Sequence, residues 1–316
     1  MQSKHITLMQ LTALSLLGLT CAVQAATDHH SDSASKPKPF KHTAIQPDLH
    51  LYEGNGGNIL VSEGPDGLVV IDAGYKDSGK QLDELLSKLG DIEFVINTHW
   101  HGDHTGGNYE LGHHGSIIAH ENVRKRLSTQ QEVKQFKMKM AAYPDQAKPD
   151  ITFKDQFTLH HNTRQFDLQY YPGSHTDSDA VVRIDGGRII HTGDIFFNGF
   201  FPFVDIDSGA RVEKLIQNLQ SLLPTIDSDA IIIPGHGPVA TKAELKAYLT
   251  MLEKTHAAVA DMMTANQDIK AMQSQGLDKQ WQAWTDGPID EKTWIKTLAR
   301  SIKQTQAEQP ELAKDQ

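Results

Sequence analysis

Short apolar runs punctuated by turn residues dominate the first third of the chain. Ile59-Leu60-Val61-Ser62 and Leu68-Val69-Val70-Ile71-Asp72 flank Glu63-Gly64-Pro65-Asp66-Gly67, and that arrangement predicts a β-hairpin. Asp72-Ala73-Gly74 closes the second strand. Leu82, Leu85, Leu86 and Leu89 then recur at helical spacing, and Gly90 stops the helix. Phe94-Val95-Ile96-Asn97 reads as a buried strand that runs straight into Thr98-His99-Trp100-His101. Further strands are predicted at Ile117–Ala119, Phe166–Tyr171, Ala180–Ile184, Arg188–His191 and Ala230–Pro234. Helices are predicted over Glu121–Leu127, Val212–Leu223, Lys242–Asn266 and Asp290–Lys303. Strands come first as hairpins and later with helices between them, in two rough halves. This predicts an α/β fold with two packed sheets and helices outside.

The two ends of the chain read differently. Residues 1–25 carry one lysine, a short apolar stretch and small residues at Ala25-Ala26, the pattern of a secretory signal peptide. The expected location is therefore periplasmic or secreted, with no membrane span once the signal is removed. Residues 26–47 are polar and proline-containing and read as a flexible linker, with His29 and His30 in a solvated tail. The main domain is expected over 48–250 and a helical extension over 251–316. The extension carries Trp281, Trp284 and Trp294 and reads as a cover or a dimer surface.

Composition narrows the chemistry. The 316 residues are 38% hydrophobic and 22% charged, enough for one large core. The 40 acidic against 30 basic residues give a net charge of −10, which argues against a nucleic-acid partner. Cys21 is the only cysteine, and it falls in the expected signal segment. Any metal site in the mature chain must be built from nitrogen and oxygen donors.

Such donors cluster. His99-Trp100-His101-Gly102-Asp103-His104 places four potential ligands within six positions after a buried strand, next to Gly106-Gly107. A single histidine in such a place is more often a core or surface residue than a ligand. Four together, beside glycines that let the backbone turn sharply, point to metal. Three further strand ends carry His175 in Gly173-Ser174-His175-Thr176-Asp177, Asp194 in His191-Thr192-Gly193-Asp194, and His236 in Pro234-Gly235-His236-Gly237. Seven donors suit two divalent ions better than one. His120 and His191 read as structural, and the pairs His113-His114 and His160-His161 as surface histidines. Phe196, Phe197, Phe200, Phe201 and Phe203 crowd the stretch after Asp194 and read equally as core or as an apolar substrate wall.

The ordered set His-x-His-x-Asp-His, His, Asp, His resembles the metallo-β-lactamase superfamily over about Asp48 to Leu249. The resemblance implies an αββα sandwich with two zinc ions at one edge. His99, His101 and His175 would hold one ion; Asp103, His104 and His236 would hold the other; Asp194 would bridge. Asp103 would be catalytic, orienting the attacking water and carrying its proton to the leaving group. The resemblance implies a small-molecule substrate and a hydrolase, with β-lactam ring opening the leading expectation. Asp194 departs from zinc β-lactamases, which generally place Cys or Ser there, and looks more like glyoxalase II and lactonases. Thioester or lactone hydrolysis is therefore the alternative, and a non-catalytic metal-binding protein is the alternative from another class.

Overall fold

Strands buried on both faces need apolar residues at every position, not at alternate ones. That is the composition of the central runs. The computed structural model describes residues 38–312, and side chains through 308. The expected signal peptide and the first part of the linker lie outside the described residues.

In chain order the strands are β1 (Lys41–Gln46), β2 (Leu49–Glu53), β3 (Ile59–Ser62), β4 (Leu68–Ile71), β5 (Ile92–Asn97), β6 (Ser116–His120), β7 (Gln131–Val133), β8 (Met138–Met140), β9 (Ile151–Phe153), β10 (Gln156–His161), β11 (Arg164–Tyr170), β12 (Ala180–Ile184), β13 (Ile189–His191) and β14 (Ile231–Ile233). The α-helices are α1 (Gly79–Leu86), α2 (Gly102–Thr105), α3 (Asn108–Leu111), α4 (Glu121–Leu127), α5 (Val212–Leu222), α6 (Lys242–Thr264), α7 (Ile269–Gln275) and α8 (Glu291–Leu312). One sheet has the order β1-β2-β3-β4-β5-β6-β9, the other β10-β11-β12-β13-β14, and β7 and β8 form a separate hairpin.

The alternation of the strands sorts side chains into layers. Leu60, Val69, Ile71, Ile96 and Ile118 of the first sheet meet Val182, Ile184, Ile189 and Ile233 of the second in a shared core. The opposite faces of the same strands, through Val61, Val70, Val95 and Ile117, pack on Leu82 and Leu86 of α1 and Leu111 of α3. Val181, Ile190 and Ile232 turn the other way, onto α5, α6 and α8. The result is the expected αββα sandwich.

Two expected boundaries move. The segment expected to be a linker as far as residue 47 contains β1, which pairs antiparallel with β2 from Lys41↔Glu53 onward. Its residues, exposed or half-buried throughout, lack a core pattern because it is the edge strand, held by backbone hydrogen bonds. The expected boundary at residue 250 falls inside α6. That helix is continuous, opened by a capping box at Thr241 and Glu244, and its buried face shares one core with α5 and α8. The extension is therefore part of the outer layer of the sandwich. Trp294 is buried there and donates Nε1–H to Thr255 Oγ1 at 3.0 Å. No described helix is long and apolar enough to cross a membrane.

Candidate metal centre

Each of the seven expected ligands sits just beyond a strand end. His99, His101, Asp103 and His104 follow β5; Asp194 follows β13; His236 follows β14; His175 lies in the turn between β11 and β12. β5 runs parallel to β4 and β6, and β13 runs parallel to β14, so these ends share one edge of the sandwich. Asn58 ties the two sheets together there. It donates Nδ2–H to the carbonyls of Pro234 and Gly237, both at 2.9 Å, and its backbone N–H donates to Gly235. Glycine is required where this edge closes. A Cβ at Gly57 would stand 2.1 Å from the His104 ring, and one at Gly235 would stand 2.0 Å from Asp194 Oδ1.

The seven side chains converge. His99 Nε2 lies 3.2 Å from His101 Nδ1, which lies 2.8 Å from His175 Nε2. Asp103 Oδ2 is 3.2 Å from His236 Nε2 and 3.7 Å from His104 Nε2, and those two nitrogens are 3.3 Å apart. Asp194 lies between the triads. Its Oδ1 is 3.0 Å from His104 Nε2, and its Oδ2 is 3.3 Å from His175, 3.5 Å from His236 and 3.9 Å from His99. Tetrahedral zinc with bonds of about 2.0–2.1 Å sets its ligand nitrogens about 3.3 Å apart, so these spacings fit.

Hydrogen bonds on the far side of each ring fix which nitrogen faces the centre. His104 donates Nδ1–H to Asp72 Oδ2 at 2.7 Å, and His175 donates Nδ1–H to the Phe203 carbonyl at 2.8 Å. His101 donates Nε2–H to Asp205 at 3.2 Å. Thr98 gives its hydroxyl proton to Asp72, so its Oγ1 accepts from His99 Nδ1 at 3.1 Å. With their other nitrogen engaged by an acceptor, His99, His101 and His175 turn lone pairs toward one another without a donor between them, which is unfavourable unless a cation occupies the space. At two of the three rings a proton is disfavoured. Burial, followed by the neighbouring rings, holds His99 well below the usual histidine range, and burial brings His175 down to about 4. Asp194 Oδ1 is likewise buried, with His104 Nε2 at 3.0 Å.

The other side of the centre is electronegative. Burial opposes charge at His236 and His104, but Asp194 and its neighbours overcome it. They raise His236 to about 9 and His104 well above its ordinary value. Burial also opposes ionisation of Asp103 and Asp194, yet the surrounding histidines hold both well below the usual carboxylate range. Two carboxylates and five imidazoles with no thiolate form a nitrogen–oxygen donor set suited to zinc.

Several contributors were not singled out in the sequence. Asp72 accepts from His104 and from the backbone and hydroxyl of Thr98, the last two at 2.8 Å each, and these bonds hold it at φ 63°. An acid at a strand end was the available signal. Asp205 gave none, because it lies in an irregular loop. The five phenylalanines divide: Phe196, Phe197 and Phe201 are core, and Phe197 also joins Phe200 and Phe203 in lining a cavity of about 440 Å³ above the expected ligands. Trp100 points into a small core with Val123 and Leu127 and does not line the cavity. His120 caps α4 and stacks on Tyr170 at 3.8 Å, and His191 binds the Asn58 carbonyl at 3.0 Å, so both are structural. His161 is not simply a surface residue: its ring packs edge-on against Phe94 at 5.3 Å.

Comparison with known proteins agrees with this geometry. The family model described as the metallo-beta-lactamase superfamily matches residues 52–241. The chain is 26% identical over 176 residues to the hydroxyacylglutathione hydrolase GloC of Haemophilus influenzae, covering 54% of this chain and 82% of that protein. It is 24% identical over 228 residues to a beta-lactamase-like protein 2 homolog of Caenorhabditis elegans, covering 70% and 68%. Among solved structures, DIM-1 metallo-beta-lactamase superposes with a TM-score of 0.54 at 20% identity, over 69% of this chain and 98% of that one. The sec-alkylsulfatase Pisa1 from Pseudomonas sp. superposes with a TM-score of 0.59 at 15% identity, over 83% of this chain and 50% of that one. At those identities the two structures speak to the fold alone. With the family match spanning most of the sandwich and the donor set gathered at its edge, the chain belongs to the metallo-beta-lactamase superfamily and is a metal-dependent hydrolase.

Proposed function

We propose that this chain is an exported, dinuclear zinc hydrolase that cleaves an acyl bond by attack of water on a carbonyl carbon. The observation that carries the reading is Asp194, buried between two triads and within 3.9 Å of a nitrogen from each. His99, His101 and His175 would hold one ion, Asp103, His104 and His236 the other, and Asp194 both. Bound there, two zinc ions would bring the pKa of a water to roughly 7 and polarise the substrate carbonyl. Asp103 lines the cavity and stays ionised beside His104 and His236. It is placed to orient the water and to carry its proton to the leaving group. Tyr75 supplies the cavity's one hydroxyl. Burial, then Asp103 and Asp194, raise its pKa, so the phenol keeps its proton and can donate to the substrate oxygen.

Two acyl bonds are candidates. β-Lactam ring opening is supported by the fold shared with DIM-1 metallo-beta-lactamase and by the signal-like residues 1–25. Thioester or lactone hydrolysis is supported by Asp194 and by the similarity to a hydroxyacylglutathione hydrolase. Zinc-loaded protein assayed against a chromogenic cephalosporin, S-lactoylglutathione and an acyl-lactone, with and without chelator, separates them. Chelator-sensitive turnover of one substrate and about two zinc ions per chain are expected. Tight metal binding with no turnover of any would favour the non-catalytic alternative or a substrate outside the three, such as a phosphoester.

A further inference from the structure

Two rows of rings lead outward from the ligands along the walls of the cavity. On one wall the His101 ring stacks on Phe203 at 5.6 Å, and Phe203 meets Phe136 at 4.8 Å. On the other, the His236 ring stacks on Phe197 at 5.3 Å, and Phe197 meets Phe200 at 5.8 Å. The first row ends on the β7–β8 hairpin. Alternation along its short strands turns Val133, Met138 and Met140 into the cavity, while Glu132 and Lys139, paired across the hairpin, are not part of the lining. The second row ends on the segment before α8. A Cβ at Gly287 would stand 2.6 Å from the Phe200 ring, and Pro288 completes that wall. This segment lies beyond residue 241, where the family match stops.

The charges in the cavity are all at its inner end. Its lining carboxylates are Asp103 and Asp194, beside His101 and His236, and among the described residues no Lys or Arg lines it. Phe136 and Met138 are each 40% exposed, large apolar side chains held open to solvent at the rim of a concave site. Such a surface marks a binding site for an apolar group.

Resting on the hydrolase reading above, we propose that the substrate is an acyl compound whose portion remote from the scissile bond is apolar and uncharged, seated between the β7–β8 hairpin and the Phe200–Pro288 wall. A carboxylate carried at that end would leave water without gaining a cationic partner, which is unfavourable. Any compensation from bound metals falls at the reacting end, where the ligands are. The cavity thus disfavours compounds with a remote anionic group by what it lacks, and it favours a chain or ring by the side chains it presents.

Binding reads this without turnover. The metal-free full-length chain is titrated calorimetrically with octanamide and with its ω-carboxylate counterpart, suberamic acid. Binding of the neutral amide about tenfold tighter or more is expected. Met138→Lys, at a position open to solvent, should narrow the difference by strengthening carboxylate binding. Equal or tighter binding of the carboxylate by the natural sequence overturns the proposal, and so does a preference that Met138→Lys leaves unmoved. The zinc-loaded chain is then given p-nitrophenyl hexanoate and the p-nitrophenyl monoester of adipic acid. A kcat/KM about tenfold higher for the neutral ester is expected, and no preference overturns the proposal. A chain that binds the neutral amide selectively yet hydrolyses neither ester would count against ester-type acyl hydrolysis and leave this inference standing.

Discussion

His104 and Asp72 are both wholly buried and joined by a 2.7 Å hydrogen bond from imidazole Nδ1–H to carboxylate Oδ2. The bond fixes the ring so that Nε2 faces Asp103, Asp194 and His236. Asp72→Asn keeps the shape and removes the charge. It should weaken metal binding by about 10–100-fold, the usual effect of losing such an outer partner. Competition with a chromogenic chelator measures this, and unchanged affinity would show that Asp72 only packs.

Gly57 offers a steric test of the same ring. Its φ is not in the left-handed region, so alanine fits the backbone there, but the added Cβ would overlap His104. Gly57→Ala should lose one of two bound ions while keeping the far-ultraviolet circular dichroism of the parent. Full retention of two ions would mean that the loop relaxes around the methyl group.

Metal removal should destabilise the sandwich edge, because the inward nitrogens of His99, His101 and His175 then face one another with no cation between them. With free zinc at about a thousandfold over its Kd, linkage gives roughly 4 kcal/mol of stabilisation. Thermal melts before and after dialysis against a chelator report it. Recovery complete at one equivalent of zinc would contradict a two-ion centre.

Tyr75→Phe should lower kcat about tenfold at unchanged metal content, since it would delete the hydroxyl proposed to donate to the substrate oxygen. Metal analysis beside steady-state kinetics checks both halves. If kcat holds, Tyr75 is only part of the wall.

Away from the metals, Asp207 joins Arg300 of α8 to Lys134 beside the hairpin, and these bonds, Arg300 first, bring its pKa down to about 2. A depressed carboxylate contributes stability above its unfolded pKa of about 3.9 and loses it as pH falls through the folded value. Asp207→Asn should therefore cost up to about 1 kcal/mol near pH 6, as exposed ion pairs do. The two proteins should converge in denaturant melts as pH approaches 2. A gap independent of pH would assign the loss to packing instead.

The convergence of the seven expected donors was legible in the sequence because each sits a short turn beyond an apolar run, and the parallel strand ends share one edge. The sandwich was legible for a related reason. Runs such as Leu68–Ile71 are apolar at every position only when a layer covers each face. β1 was not legible, because an edge strand is held by backbone bonds that leave no mark on side-chain pattern. The β7–β8 hairpin escaped for the same reason, with strands of three residues each.

What tertiary structure alone decided was orientation. Sequence placed five phenylalanines after Asp194, but only the irregular loop determined that Phe196 and Phe201 turn to α6 and α8 while Phe197, Phe200 and Phe203 turn to the cavity. It likewise chose Asp72 and Asp205 as partners for His104 and His101, across 32 and 104 positions of chain. The type of each candidate donor is local chemistry and survives in the order of residues. The tautomer of each ring and the walls of the cavity depend on contacts between distant segments, and those exist only once the sheets have packed.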